Sequence, residues 1–179
     1  MTYYSSLLYL KEFRCVEETD EGGNDSPYFV VFVGNKGGQI FSDVVRVRDP
    51  DWDGAAYSAK LFQPNLWVHN HVDTNSIVLV ALIEEDYDPD IGDSKIALLK
   101  TLMHIRFSTY AGWNLTNDQL AYLARSDFAG YLQDLLVNDE YIQTKRLSVS
   151  SNVGDLPLLN FAGDGGSYRV RFKMVNTQA

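Results

Sequence analysis

The chain has a single cysteine, Cys15, in 179 residues. An internal disulfide is excluded, and a zinc site assembled from several Cys and His ligands lacks its ligands. Cationic side chains are also scarce: 15 Lys and Arg against 24 Asp and Glu leave a formal charge of −9. A nucleic-acid binder needs a basic face, which this balance argues against. Direct docking on anionic lipid is disfavoured too, unless bound cations reverse the local sign. No apolar run approaches the roughly 20 residues of a membrane span. The stretch from Met1 to Leu8 has no basic n-region and no long apolar h-region. No secretory signal is therefore expected, and the default expectation is a soluble cytoplasmic protein, with release by a signal-independent route as the alternative. Gly-x-Ser-x-Gly, phosphate-loop and dinucleotide motifs are all missing. Cys15 lies in an apolar stretch and reads as a small apolar residue rather than a nucleophile. These absences favour a non-enzymatic protein.

What the chain does have is carboxylates in clusters. Glu84-Glu85-Asp86-Tyr87-Asp88-Pro89-Asp90-Ile91-Gly92-Asp93 holds six. Glu17-Glu18-Thr19-Asp20-Glu21-Gly22-Gly23-Asn24-Asp25 holds five, and Asp49-Pro50-Asp51-Trp52-Asp53-Gly54 holds three. Together they contain 14 of the 24 acidic residues. So many like charges on short connections are tolerated when the connection is well solvated, or when a cation sits in it. Asp86, Asp88 and Asp90 alternate and can turn oxygens toward a common point. Ca²⁺ asks for such a set, since it takes six to eight oxygen ligands at about 2.3–2.6 Å. Asp49, Asp51, Asp53 and Gly54 match the first half of the EF-hand pattern, but its twelfth position is Lys60 instead of a bidentate Glu, so only a local calcium loop is expected there.

Most of the chain reads as strands. Leu7–Val16 is a first strand. Tyr28–Val33 is apolar on both parities, as a strand covered on both faces must be. Gln39–Val47 is a third, Tyr57–Phe62 and Trp67–Val72 are shorter candidates, and Ser76–Ile83 leads into the richest acidic cluster. The period then becomes helical over Ser94–Phe107, with Asp93 or Ser94 as N-cap. A second helix starts at Thr116, where Gln119 completes a capping box and Leu115 and Leu120 form a hydrophobic staple. It is expected to end near Val137-Asn138. Strands return at Tyr141–Ser148 and Leu156–Phe161. Gly163-Asp164-Gly165-Gly166 marks a tight hairpin turn. In the last strand Tyr168, Val170, Phe172 and Met174 alternate with Arg169, Arg171 and Lys173, one set for the core and one for water. The expected fold is mainly β: an antiparallel β-sandwich of about eight strands forming a single domain over 1–179, with a two-helix insertion over 93–138.

Two stretches resemble a known family. Asp20-Glu21-Gly22-Gly23-Asn24-Asp25-Ser26-Pro27-Tyr28, running into an apolar strand, resembles the first calcium loop of C2 domains. Asp86-Tyr87-Asp88, with Asp90-Ile91-Gly92 after it, resembles their third. The resemblance spans roughly residues 7–92. It departs where Asp25 and Ser26 stand in reversed order, and where helices follow the third loop. It implies a sandwich holding calcium between loops at one end and docking on membranes or partner proteins. The candidate metal ligands are Asp20, Asp25, Asp49, Asp51, Asp53, Asp86, Asp88 and Asp90. The favoured function is a calcium-responsive binding module.

One alternative is a metal-dependent hydrolase. His69-Asn70-His71-Val72-Asp73 resembles the H-x-H-x-D metal motif of metallo-β-lactamases, although Thr74 stands where a further His belongs. On a strand His69 and His71 share a face. The other alternative is a metal-free structural or host-interaction subunit, toxin-like in role, with solvated acidic connections.

Overall fold

The computed structural model describes residues 4–17, 26–36, 40–46, 61–62, 66–70, 72, 74–85, 91–137, 139–149, 153–163 and 165–178. These form β1 (Tyr4–Glu17), β2 (Ser26–Gly34), β3 (Ile40–Arg46), β4 (Leu61–Phe62), β5 (Leu66–Asn70), β6 (Ile77–Glu85), α1 (Asp93–Ala111), α2 (Asn117–Leu135), β7 (Glu140–Leu147), β8 (Gly154–Asp155), β9 (Leu159–Gly163) and β10 (Gly166–Gln178). Every strand pairing is antiparallel.

Two sheets result. In sheet A, β1 and β10 pair at the centre, β4 and β5 lie along the free edge of β1, and β8 and β9 lie along β10. Sheet B has the order β3-β2-β6-β7. The strand count is thus ten segments among the described residues, a correction to the expected eight. The excess arises because the partner strands on both edges of sheet A are interrupted: β4 and β5 follow each other along β1, as β8 and β9 do along β10.

The double parity of β2 and β6 follows from what covers sheet B. Phe29, Val31 and Val33, with Val78, Val80 and Leu82, meet Phe13, Phe172 and the other inward residues of sheet A in one core. Tyr28, Val30 and Phe32, with Ile77, Leu79, Ala81 and Ile83, meet the helices in a second core. A strand in the middle layer has no face left for water, so alternation disappears from its sequence. Phe29 joins the first core through rings of β1, β9 and β10: Phe13 at 5.9 Å, Phe161 at 6.1 Å and Phe172 at 6.1 Å. In the second, Phe32 meets Phe107 of α1 at 5.6 Å and Phe128 of α2 at 5.9 Å.

The last strand follows its alternation. Tyr168, Val170, Phe172 and Met174 are buried, Arg169 is exposed, and Arg171 and Lys173 are half-buried. The hairpin before it turns at Gly165, whose φ of 80° lies where an L side chain is disfavoured. The two sheets meet along one side, where β9 approaches β7. A Cβ on Gly163 would stand 2.6 Å from the Ile142 carbonyl oxygen, so only glycine fits. The Gln143 side chain accepts from Ala162 N there at 3.2 Å.

Both helices bury one stripe: Leu99, Met103, Phe107 and Tyr110 in α1, and Leu120, Ala121, Ala124, Phe128 and Leu132 in α2. Across their seam Tyr110 donates to Asp127 at 2.5 Å, and Arg106 donates to Tyr131 at 2.9 Å. The bond to Asp127 favours the neutral phenol and pushes the Tyr110 pKa up to about 12. Three helix boundaries differ from expectation, the first being the end of α1, which runs four residues past Phe107 to Ala111. Gly92, not Asp93 or Ser94, is the N-cap of α1 and contributes no side-chain bond; the chain turns one residue earlier, and the Gly92 carbonyl accepts from Lys95 N and Ile96 N at 3.0 Å each. Helix α2 stops at Leu135, because Leu136 is already extended at φ −74° and ψ 137°. Its start is as expected. Gln119 N donates to Thr116 Oγ1 at 3.2 Å, and Thr116 N donates to Gln119 Oε1 at 2.9 Å. Thr116→Ala is expected to cost about 1 kcal/mol in urea unfolding, with Thr116→Ser close to the parent.

Candidate functional site

The eight aspartates Asp20, Asp25, Asp49, Asp51, Asp53, Asp86, Asp88 and Asp90 lie outside the described residues. The strand ends that carry them are described. Segment 18–25 runs from Glu17 of β1 to Ser26 of β2. Segment 47–60 runs from Arg46 of β3 to Leu61 of β4, and segment 86–90 runs from Glu85 of β6 to Ile91. In sheet B, Ser26 is paired with Glu85 and Tyr28 with Arg46, so three of these junctions are neighbours. In sheet A, Leu61 is paired with Arg14, three residues before Glu17. Phe13 and Phe29, each a few residues in from its junction, are in ring contact between the sheets. The junctions of all three acidic segments therefore gather at one end of the sandwich. They do so because the chain crosses from β3 in sheet B to β4 and β5 in sheet A, then returns to β6.

The described residues at this end form a firm base. Glu84 and Glu85 belong to β6 rather than to the connection after it. Glu84 is only 3% exposed and stands in register with Glu140 of β7 and Pro27 of β2. The buried Tyr28 phenol donates to Asp139 Oδ2 at 2.5 Å and accepts from Ile91 N at 3.4 Å. One side chain of β2 thereby holds the residue that follows segment 86–90 and the residue that precedes β7. Tyr28→Phe removes both bonds in a buried place. It is expected to lower stability by about 1–3 kcal/mol, read by urea unfolding. Among the described residues no group of three or more His, Cys, Asp or Glu is placed to hold a metal.

His69 and His104 stand elsewhere. His71 and Asp73 lie outside the described residues, and of His69 only the backbone is described. His69 pairs with Leu8, nine positions before Glu17 along β1. At the rise of a strand that is about 30 Å from the acidic end. His104 is exposed on α1, where with Lys100, Thr101, Ile105 and Ile40 it lines an open groove of about 420 Å³. Ile40 pairs with Gly34, at the end of β2 away from Ser26. No motif in the sequence signals this groove; its residues are separated in the chain, and only the packing of α1 on β3 joins them.

No helix among the described residues is long and apolar enough to cross a membrane. No family model matches the chain, and no curated protein sequence does. Among solved structures it is similar to a C2 domain of plant Extended Synaptotagmin 1. The TM-score is 0.43 at 7% identity, over 100% of this chain and 98% of that one. It is also similar to human GIVD cytosolic phospholipase A2, with a TM-score of 0.41 at 10% identity over 99% of this chain. The same phospholipase in complex with methyl gamma-linolenyl fluorophosphonate and terbium chloride gives a TM-score of 0.39 at 9% identity over 98% of this chain. The chain spans 17% of the length of the phospholipase.

Proposed function

We propose that the protein is a non-enzymatic, calcium-responsive binding module of C2-like kind, with its site at the acidic end of a single domain whose helical pair is an insertion. One observation carries this reading: the strands place the junctions of all three acidic segments together. The eight candidate ligands belong to those segments and supply only carboxylate oxygens, the donors a hard divalent cation prefers. Asp20 and Asp25, Asp49, Asp51 and Asp53, and Asp86, Asp88 and Asp90 would hold the ion. Bound calcium would cancel part of the charge at this end and allow a membrane or protein partner to approach it. The Tyr28 bonds to Asp139 and Ile91 provide a base that need not move when the segments bind.

The test is thermal unfolding with metals against EDTA. A ligand that binds only the native state stabilises it by RT ln(1 + [L]/Kd), about 2.7 kcal/mol at a hundredfold excess over Kd. Ca²⁺ is expected to raise the melting temperature, Mg²⁺ less, because it dehydrates reluctantly and demands stricter octahedral geometry. NaCl at the same ionic strength should have only a small effect. A curve in millimolar calcium that overlays the EDTA curve sinks the proposal.

A further inference from the structure

Sheet A turns one face away from sheet B, and that face carries cations. Phe13 and Cys15 of β1 and Tyr168 and Val170 of β10 point into the core. Arg14 and Arg169 stand between them and so point outward. The register sets Arg14 directly opposite Arg169, with Asn160 of β9 beside Arg169. Side chains so placed have Cβ atoms about 4.5–5.5 Å apart, and like charges there are destabilising. Two described acids of this face, Glu12 and Asp155, are occupied. Glu12 pairs with Arg171 at 3.2 Å, while Asp155 pairs with Lys11 at 2.5 Å and with Arg171 at 3.6 Å. The bond from Lys11 holds the Asp155 carboxyl below its ordinary range. Lys173 lies over the Tyr9 ring, 5.5 Å from its centre. Neither Arg14 nor Arg169 makes an ion pair with a described acid. Arg14 Nε is out of water and has no hydrogen-bond acceptor among the described residues, a cost that one well-placed oxygen would remove.

We propose that Arg14 and Arg169 form an anion site for a phosphate monoester, with the Asn160 amide as a third donor. Two facing guanidinium groups offer paired N–H donors, and a tetrahedral phosphate has the oxygens to accept from both at once. Charge decides between anions. A phosphate monoester carries about −1.5 to −2 at pH 7, which matches two cations, whereas a carboxylate carries half that. A soluble phosphate ester and a lipid headgroup share this chemistry. The site does not depend on the calcium reading and is tested with calcium absent.

The experiment uses the whole chain in EDTA, with inorganic phosphate compared with NaCl at equal ionic strength, read by melting temperature and calorimetry. Phosphate should raise the melting temperature beyond the chloride control. Arg169→Gln, at an exposed position that folding tolerates, should weaken phosphate binding about tenfold or more, the value of a charge-assisted bond. Arg14→Gln should do the same if it folds, and Lys100→Gln on α1 should change nothing. Co-sedimentation with phosphatidylcholine vesicles, with and without phosphatidic acid, separates the sources. Capture by phosphatidic acid that Arg169→Gln abolishes assigns the site to a lipid headgroup. A phosphate response without vesicle capture assigns it to a soluble ester. A phosphate response no larger than that of chloride, or one unchanged in Arg169→Gln, overturns the proposal.

Discussion

Phe29→Ala is expected to destabilise the protein by about 3–5 kcal/mol in urea unfolding, the largest effect of any single truncation considered. Phe29 is 0% exposed and touches the rings of Phe13, Phe161 and Phe172 on three strands of sheet A. Its removal subtracts the transfer free energy of the ring and the dispersion contacts with those neighbours. The cavity left behind is walled by two sheets that cannot both close on it. Leu98, 47% exposed on α1, is the control, and Leu98→Ala should stay within about 0.5 kcal/mol of the parent. A Phe29→Ala loss no greater than that of Leu98→Ala would mean that the sheets are not packed through this ring.

The second large effect belongs to the proposed calcium site. Asp86→Asn, or Asp88→Asn, is expected to abolish the calcium-dependent gain of about 2.7 kcal/mol at a hundredfold excess over Kd. In EDTA the same change should raise stability, because it removes one charge from a crowded set of like charges. The two opposite signs, in one variant and one buffer pair, distinguish a ligand from a residue that merely supports the fold. Solvated acidic segments without a metal predict that both variants respond to calcium as they respond to NaCl. A hydrolase centred on His69, His71 and Asp73 predicts that zinc or manganese gives the large shift and that Asp86→Asn leaves it intact.

Local rules made much of the architecture legible from residues alone. The apolar parity of Tyr28–Val33 placed that strand under cover on both faces, and the structure covers it with sheet A and the helices. The alternation of Tyr168 to Met174 named its buried face. Thr116, with Gln119 three residues later, marked the start of α2, since a capping box is complete within four residues. Boundaries that depend on a neighbour were less legible. The N-cap of α1 is Gly92 because of where the chain leaves Ile91, whose amide is held by Tyr28 from β2.

Nothing in the order of residues placed Leu61 beside Arg14, or Ser26 beside Glu85. Segments 18–25, 47–60 and 86–90 are acidic by sequence, yet the meeting of the strand ends that flank them depends on the crossing from β3 to β4 and back to β6. A meander within one sheet would have read equally well in periodicity, because period reports which face is buried and not which strand lies alongside. The facing of Arg14 and Arg169 has the same origin, since residues 155 positions apart become neighbours only through the register of β1 with β10. The sequence by itself determined which side chains must leave water, where the helices lie, and which acids are available as ligands. Tertiary structure decided which strand ends and which faces come together, because non-local pairing is set by how all the strands close around two cores at once.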